Sequence, residues 1–230
     1  MMYKQYYSTL VLKMTSDLIH LILPSTCQIC GPTGCGKTEF VVRLIKDQMY
    51  EPNPTNIYWC YSEYQPAYER IEKIRSDIEF IHGFPENIVD RLDAKNSNLL
   101  IIDDLINEIG DSPILAKLFT VISHHRNCAV ILIQQNIFPK LKSNADVSKN
   151  CQYLVVFRNP RKKRELEILA RDVCGSDIKF FKQAFEDATQ EPYSYLFIDC
   201  HGTTPEEYKF RANIFPGEDH VVYISAKSKN

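Results

Sequence analysis

Eight consecutive residues, Gly31, Pro32, Thr33, Gly34, Cys35, Gly36, Lys37 and Thr38, satisfy G-x-x-x-x-G-K-[ST] at every fixed position. The glycines let the backbone curl so that successive N–H groups face phosphate oxygens, and the helix that starts near Lys37 adds its positive end. Lys37 is placed to reach β- and γ-phosphates, and the Thr38 hydroxyl to hold Mg²⁺. Downstream, Asp103 and Asp104 close the apolar run Leu99, Leu100, Ile101, Ile102. Asp103 is the candidate metal carboxylate, usually acting through water, and Asp104 the candidate that orients or polarises an attacking water, with Glu108 as fallback. Gln135 closes the next apolar run and could bond a γ-phosphate or the attacking water. Gln134 is its adjacent rival, and a polar residue opening a loop explains either equally well.

Cations supply the remaining chemistry. His124, His125 and Arg126 end a helical pattern, where each positive side chain complements the macrodipole by roughly 0.3–1 kcal/mol. Alternatively, Arg126 projects across a subunit boundary as an arginine finger on a neighbour's γ-phosphate. Residues 158–164 (Arg-Asn-Pro-Arg-Lys-Lys-Arg) carry five positive charges and no negative one. A solvated face is the ordinary explanation of such a run. Several of these charges fall in the first turn of a predicted helix, where cations oppose the dipole, so an anionic partner accounts for them better. That partner is either DNA backbone or a neighbour's nucleotide.

The elements that must position these residues follow from periodicity. An apolar strand at 26–30 precedes the phosphate loop, and Phe40, Val41, Leu44 and Ile45 recur at helical spacing behind it. Strands are predicted at 56–61, 78–81, 99–104, 128–133, 152–157 and 193–200. Helices are predicted at 65–75, at 113–123 with Ser112 as cap, from Asn159 and Pro160 onward, and at 177–188. Residues 8–22 read as a helix ended by Pro24, and Val221 to Ile224 as an added edge strand. Alternating strands and helices imply an α/β fold, a three-layer α/β/α sandwich with a mainly parallel sheet and its ligands at the carboxyl ends of the strands. The 230 residues suit one domain, with an N-terminal helix at 8–22, a core at 25–200 and a C-terminal extension at 201–230.

The formal net charge of −2 gives no global pull toward nucleic acid, so any such contact is local. Eight scattered cysteines lack a secreted disulfide framework and point to a reducing, intracellular compartment. Cys27 and Cys30 face opposite sides of an extended strand and read as buried small residues rather than metal ligands. Charges interrupt the apolar N-terminal run, so neither a membrane span nor a signal peptide is expected there.

Taken in order, Gly-Pro-Thr-Gly-Cys-Gly-Lys-Thr, Tyr-Ser-Glu-Tyr-Gln-Pro at 61–66, Leu-Ile-Ile-Asp-Asp-Leu at 100–105, Ser-His-His-Arg-Asn at 123–127, Gln-Asn-Ile-Phe at 135–138 and Phe-Arg-Asn-Pro-Arg at 157–161 resemble the viral genome-packaging ATPases of the FtsK/HerA superfamily. The flavour is that of Polinton and adintovirus-type elements, and the resemblance spans about residues 25 to 200. It implies a P-loop NTPase fold of the additional-strand type, with the Gln135 strand between the phosphate-loop strand and the Asp103 strand. It also implies ATP and Mg²⁺ as ligands and a homo-oligomeric ring of five or six subunits around double-stranded DNA, with a capsid or portal protein as a further partner inside the host cell. The superfamily's sensor glutamine maps onto Gln135 and its trans-acting arginine onto Arg126, with Arg158 and Arg161 as alternatives. Many relatives carry Glu where this chain has Asp104. Glu63 and Gln65 have no derivable role beyond a loop closing over nucleotide. Two other readings remain open: a small P-loop kinase, and a nucleotide-gated assembly module without catalysis. No Asn-Lys-x-Asp motif occurs, which argues against a GTPase.

Overall fold

Continuous apolar runs need cover on both faces, and a parallel sheet sandwiched by helices gives it. The computed structural model describes residues 3–6, 9–14, 19–139 and 144–226. Its strands are β1 (Tyr3–Tyr6), β2 (Thr9–Met14), β3 (Leu21–Ile22), β4 (Ser25–Cys30), β5 (Tyr50–Glu51), β6 (Asn56–Tyr61), β7 (Ile78–His82), β8 (Asn98–Asp103), β9 (Cys128–Gln134), β10 (Tyr153–Phe157), β11 (Tyr195–Asp199), β12 (Phe210–Ala212) and β13 (His220–Ser225). The helices are α1 (Lys37–Lys46), α2 (Pro66–Ile74), α3 (Ile88–Arg91), α4 (Ile106–Ile109), α5 (Pro113–Lys117), α6 (Ser123–His125), α7 (Asn144–Lys149), α8 (Lys163–Cys174) and α9 (Ile178–Ala188). Ser112 caps α5 as predicted, its hydroxyl accepting from Ile114 N–H, and a π turn at Leu118–Ile122 joins α5 to α6.

The main sheet runs β1-β2-β13-β12-β11-β10-β4-β9-β8-β6-β7. From β10 to β7 every pairing is parallel. Strand β9 lies between β4 and β8, the insertion that defines the additional-strand P-loop arrangement. From β11 to β1 every pairing is antiparallel, so a second wing extends the parallel core.

Side-chain alternation divides the core into two layers. In β8, Leu99 and Ile101 face α1 and α2, among Phe40, Leu44, Tyr68 and Ile71. Leu100 and Ile102 face the opposite layer, with Leu115, Leu118, Leu169 and Phe181. Cys27 and Cys30 fall in different layers, both buried, as the strand geometry requires.

Two expectations are corrected. The helix predicted at 8–22 is not formed among the described residues: Thr9–Met14 is a strand paired on both sides, and Leu21–Ile22 pairs with β5. Residues 15–18 lie outside the described set. The alternating burial of Thr9, Leu10, Val11 and Leu12 fits a sheet partner that lies at the far end of the chain, beyond any local window. For the same reason the segment at 221–224 is no edge strand, because β2 covers its outer side.

Candidate active site

The phosphate loop is shaped by steric demand at two glycines. A β-carbon on Gly31 would lie 2.6 Å from Cys35 Sγ and 2.7 Å from Phe157 Cβ. Gly36, the residue before α1, has φ +104, a region closed to most side chains. Helix α1 then begins at Lys37 and buries Phe40, Val41, Leu44 and Ile45 against the sheet, which fixes the loop relative to β4. The Lys37 ammonium is buried inside the loop, donating to Gly31 O at 2.8 Å and Pro32 O at 3.0 Å.

Parallel strands end their chemistry on one edge. Asp103 closes β8, and its Oδ2 lies 3.5 Å from Thr38 Oγ1. The carboxylate is only 2% exposed and continues the face that carries Leu99 and Ile101. Two aromatic donors hold the same oxygen: Tyr68 OH at 2.8 Å and Trp59 Nε1 at 3.4 Å. Both rings are fully buried, and buried Tyr and Trp need acceptors for their polar ends. Burial pushes the Asp103 carboxyl up to about 6, against the hydrogen bond from Tyr68, which pulls it down; Asp104 raises it further, and Trp59 and Lys37 lower it.

Asp104 is half-buried with φ +55, a left-handed conformation that turns the chain away from the strand direction. Asp103 and Asp104 line a cleft of about 550 Å³ together with Lys37, Thr38 and Gln65. The hard oxygen donors Thr38 and Asp103 fit Mg²⁺, which keeps several waters and takes one or two protein groups plus substrate phosphates.

Other predicted residues fall elsewhere. The Gln134 side chain is buried on the face opposite the cleft, near Cys30 Sγ. Gln135 is exposed just beyond β9 and borders a small crevice with Gly31, Phe157 and Asn159. Glu108 is exposed beside Gly83 and does not line the cleft, nor does Glu63. Arg126 lies at the opposite end of the sheet. Its carbonyl accepts from Asn98 Nδ2, and Asn98 opens the strand that Asp103 closes, roughly 17 Å away at 3.3 Å per residue. The Arg126 guanidinium donates to Leu92 O at 3.4 Å, so it is not part of its own chain's site. By contrast, Arg158 and Arg161 are exposed at the carboxyl end of β10, the neighbour of β4, on the phosphate-loop edge. Lys163 and Arg164 open α8 beside them.

Sequence reasoning passed over Trp59 and Tyr68. The usable signal was a tryptophan two residues before the end of a strand, whose N–H requires an acceptor once buried. Naming that acceptor requires knowing that β6 lies next to β8.

No family model matches the chain, and no curated protein matches it. Solved structures do resemble it. The genome packaging NTPase B204 from Sulfolobus turreted icosahedral virus 2, solved in complex with ATPγS, superposes with TM-score 0.51 at 14% identity, covering 79% of this chain and 95% of that one. B204, the DNA-packaging ATPase from Sulfolobus turreted icosahedral virus, gives 0.52 at 15% identity over 79% and 95%. The cytoplasmic domain of the type VII secretion ATPase EccC from Thermomonospora curvata gives 0.51 at 15% identity over 87% of this chain and 25% of that one. At these identities the likeness establishes a shared fold, the three-layer P-loop NTPase architecture.

Proposed function

We propose that this chain is a Mg²⁺-dependent ATPase that couples hydrolysis to translocation of double-stranded DNA, loading a viral or virus-like genome into a capsid from inside the host cell. The observation that carries the hydrolase reading is the meeting of Thr38 and Asp103 beneath the phosphate loop, with Asp104 in the same cleft. On this reading Lys37 exchanges the Gly31 and Pro32 carbonyls for β- and γ-phosphate oxygens. Loop amides from Gly31 through Thr38, Pro32, Thr33 and Cys35 included, cradle the phosphates. When bound, Mg²⁺ supplies charge neutralisation on the phosphoryl oxygens, held by Thr38 and Asp103. Asp104 orients the attacking water, and Gln135, outside the cleft but sharing a crevice with Gly31 of the loop, reaches the γ-phosphate from the tip of β9 once nucleotide is bound.

The DNA reading is supported by two independent observations. One is the set of exposed cations Arg158, Arg161, Lys163 and Arg164 on the nucleotide edge of the sheet. The other is the fold shared with packaging NTPases over nearly their whole length. A homo-oligomeric ring of five or six subunits, docked on a capsid or portal protein, completes the proposal. In it a neighbour's arginine, Arg126 or else Arg158 or Arg161, offsets γ-phosphoryl charge and couples each site to the next. Among the described residues no helix is long and apolar enough to cross a membrane.

The test is phosphate release by purified protein with and without duplex DNA. Release that rises with DNA and vanishes in Lys37→Ala is the expected result. Undetectable release with DNA present would favour a nucleotide-gated assembly module, and a phosphorylated small-molecule acceptor would favour a kinase.

A further inference from the structure

The cleft does not stop at the phosphate loop. From β8 it passes over β9, β4 and β10 to β11, four strand spacings or roughly 19 Å across the carboxyl edge of the sheet. Asp103 and Asp104 mark one end. The other end is aromatic, and the antiparallel wing builds it: Tyr193 precedes β11, Tyr195 lies within it, and Phe215 follows β12.

This far end is rigid on one side and open on the other. Arg43 of α1 lays its guanidinium 3.9 Å over the Phe215 ring and is fixed there by Glu218 at 2.6 Å. Phe40 packs edge-on against Tyr195 and Phe215, with ring centroids 4.7 and 5.1 Å apart. Tyr193 differs from all of these. It is 71% exposed, and it stands against the loop, with its Cδ1 3.5 Å and its Cβ 3.6 Å from where a β-carbon on Gly36 would sit. Its φ of +65 is a conformation that a bulky residue adopts at a cost. An exposed aromatic ring held beside the phosphate loop in a strained backbone is poorly explained by packing alone.

We infer that this aromatic end is the nucleobase subsite, with Tyr193 as the plate on which the base stacks and Arg43 on Phe215 as the facing wall. The inference rests on the nucleotide reading above and adds to it how the base is recognised. Two polar side chains at this end already have partners: Arg43 Nη1 donates to Glu218 Oε1 at 2.6 Å, and the Tyr195 hydroxyl accepts from the Ile214 N–H at 3.3 Å. On this inference the exposed Tyr193 ring and the Arg43–Phe215 stack hold the base chiefly by its π face, and the two purines bind alike. Every base offers such a face, and stacking on an aromatic side chain is tolerant of base identity.

Calorimetric titration with ATPγS, GTPγS and tripolyphosphate, each with Mg²⁺, tests this in wild-type protein, Tyr193→Ala and Tyr193→Phe. Wild-type protein is expected to bind both nucleotides within a few-fold of each other and more tightly than tripolyphosphate. Tyr193→Ala should weaken both nucleotides by about tenfold or more while leaving tripolyphosphate unchanged, and Tyr193→Phe should behave as wild type. Loss of all three ligands in Tyr193→Ala, or of none, would overturn the subsite. So would tripolyphosphate bound by the wild type as tightly as ATPγS, or a thirty-fold preference between the purines. If wild-type protein bound none of the three, the nucleotide reading itself would fall, a result separable from failure of the base subsite.

Discussion

At the scale of the residue, the buried carboxylate of Asp103 is the pivot, because one oxygen serves both the Thr38 side and two aromatic donors. A hydrogen bond to a charged group contributes about 1.5–3 kcal/mol, and Tyr68 OH makes the shorter of the two aromatic contacts. Tyr68→Phe keeps the ring and removes only the donor. The variant is expected to need about tenfold more Mg²⁺ for half-maximal phosphate release, with binding of nucleotide in the absence of metal unchanged. A Mg²⁺ titration read alongside metal-free calorimetry checks this, and an unaltered Mg²⁺ requirement would count against the positioning role. Lys37→Ala should reduce phosphate release to background, since Lys37 is the cation held inside the loop against the Gly31 and Pro32 carbonyls.

At the scale of the element, the antiparallel wing is where stability should respond to pH. His220 opens β13, is 7% exposed, and among the described residues its Nε2 has no hydrogen-bond partner. Burial, with the nearby Arg211 cation adding to it, lowers its imidazole to about 4. The unfolded chain then binds this proton more tightly than the folded one, so the stability difference is fully present above pH 6.5 and is lost as pH falls toward 4. Chemical denaturation of wild type and His220→Leu at pH 7.5 and pH 5 should show a smaller acid-induced drop in the variant. Equal drops would place the acid sensitivity elsewhere. The same wing shows where periodicity misleads. Thr9–Met14 carries apolar residues dense enough for either a helix or a strand, and pairing with β13 decides the matter. The parallel core, by contrast, was legible, because β4, β8, β9 and β10 are short apolar runs bounded by turn residues.

At the scale of the whole molecule, charge placement is what the proposed contact with DNA rests on. The net charge is near zero, yet Arg158, Arg161, Lys163 and Arg164 stand exposed on one edge. Among the described residues none of these four pairs with a carboxylate, whereas Lys162 does so with Glu165 at 2.8 Å. Changing Arg161, Lys163 and Arg164 to Gln should weaken duplex binding regardless of sequence. It should also lower the salt slope by about 0.9 for each lost phosphate contact. An unchanged slope would remove DNA as the partner of this run. Arg126 faces the other way, at the amino edge of the sheet, so any catalytic part it plays is across a subunit boundary. In the proposed ring, mixing Arg126→Ala subunits with wild-type ones should depress activity more steeply than dilution, and a strictly proportional fall would exclude a trans-acting role for Arg126.

The sequence by itself determined the phosphate loop, the acidic pair at the end of a buried strand, and the alternation that builds a sandwiched sheet. Each of these is written within one turn or one strand, where spacing alone sets direction. Tertiary structure decided what such short range cannot encode: that Tyr68 and Trp59 converge on Asp103, that Gln134 turns away while Gln135 stays exposed, and that Arg126 lies on the far edge. It also decided that the two chain ends pair as neighbouring strands and that the resulting wing supplies the aromatic end of the cleft. The reason is physical. A strand's partner and a buried donor's acceptor are chosen by whichever group the fold brings within hydrogen-bonding distance, and in this chain those groups lie tens to hundreds of residues apart.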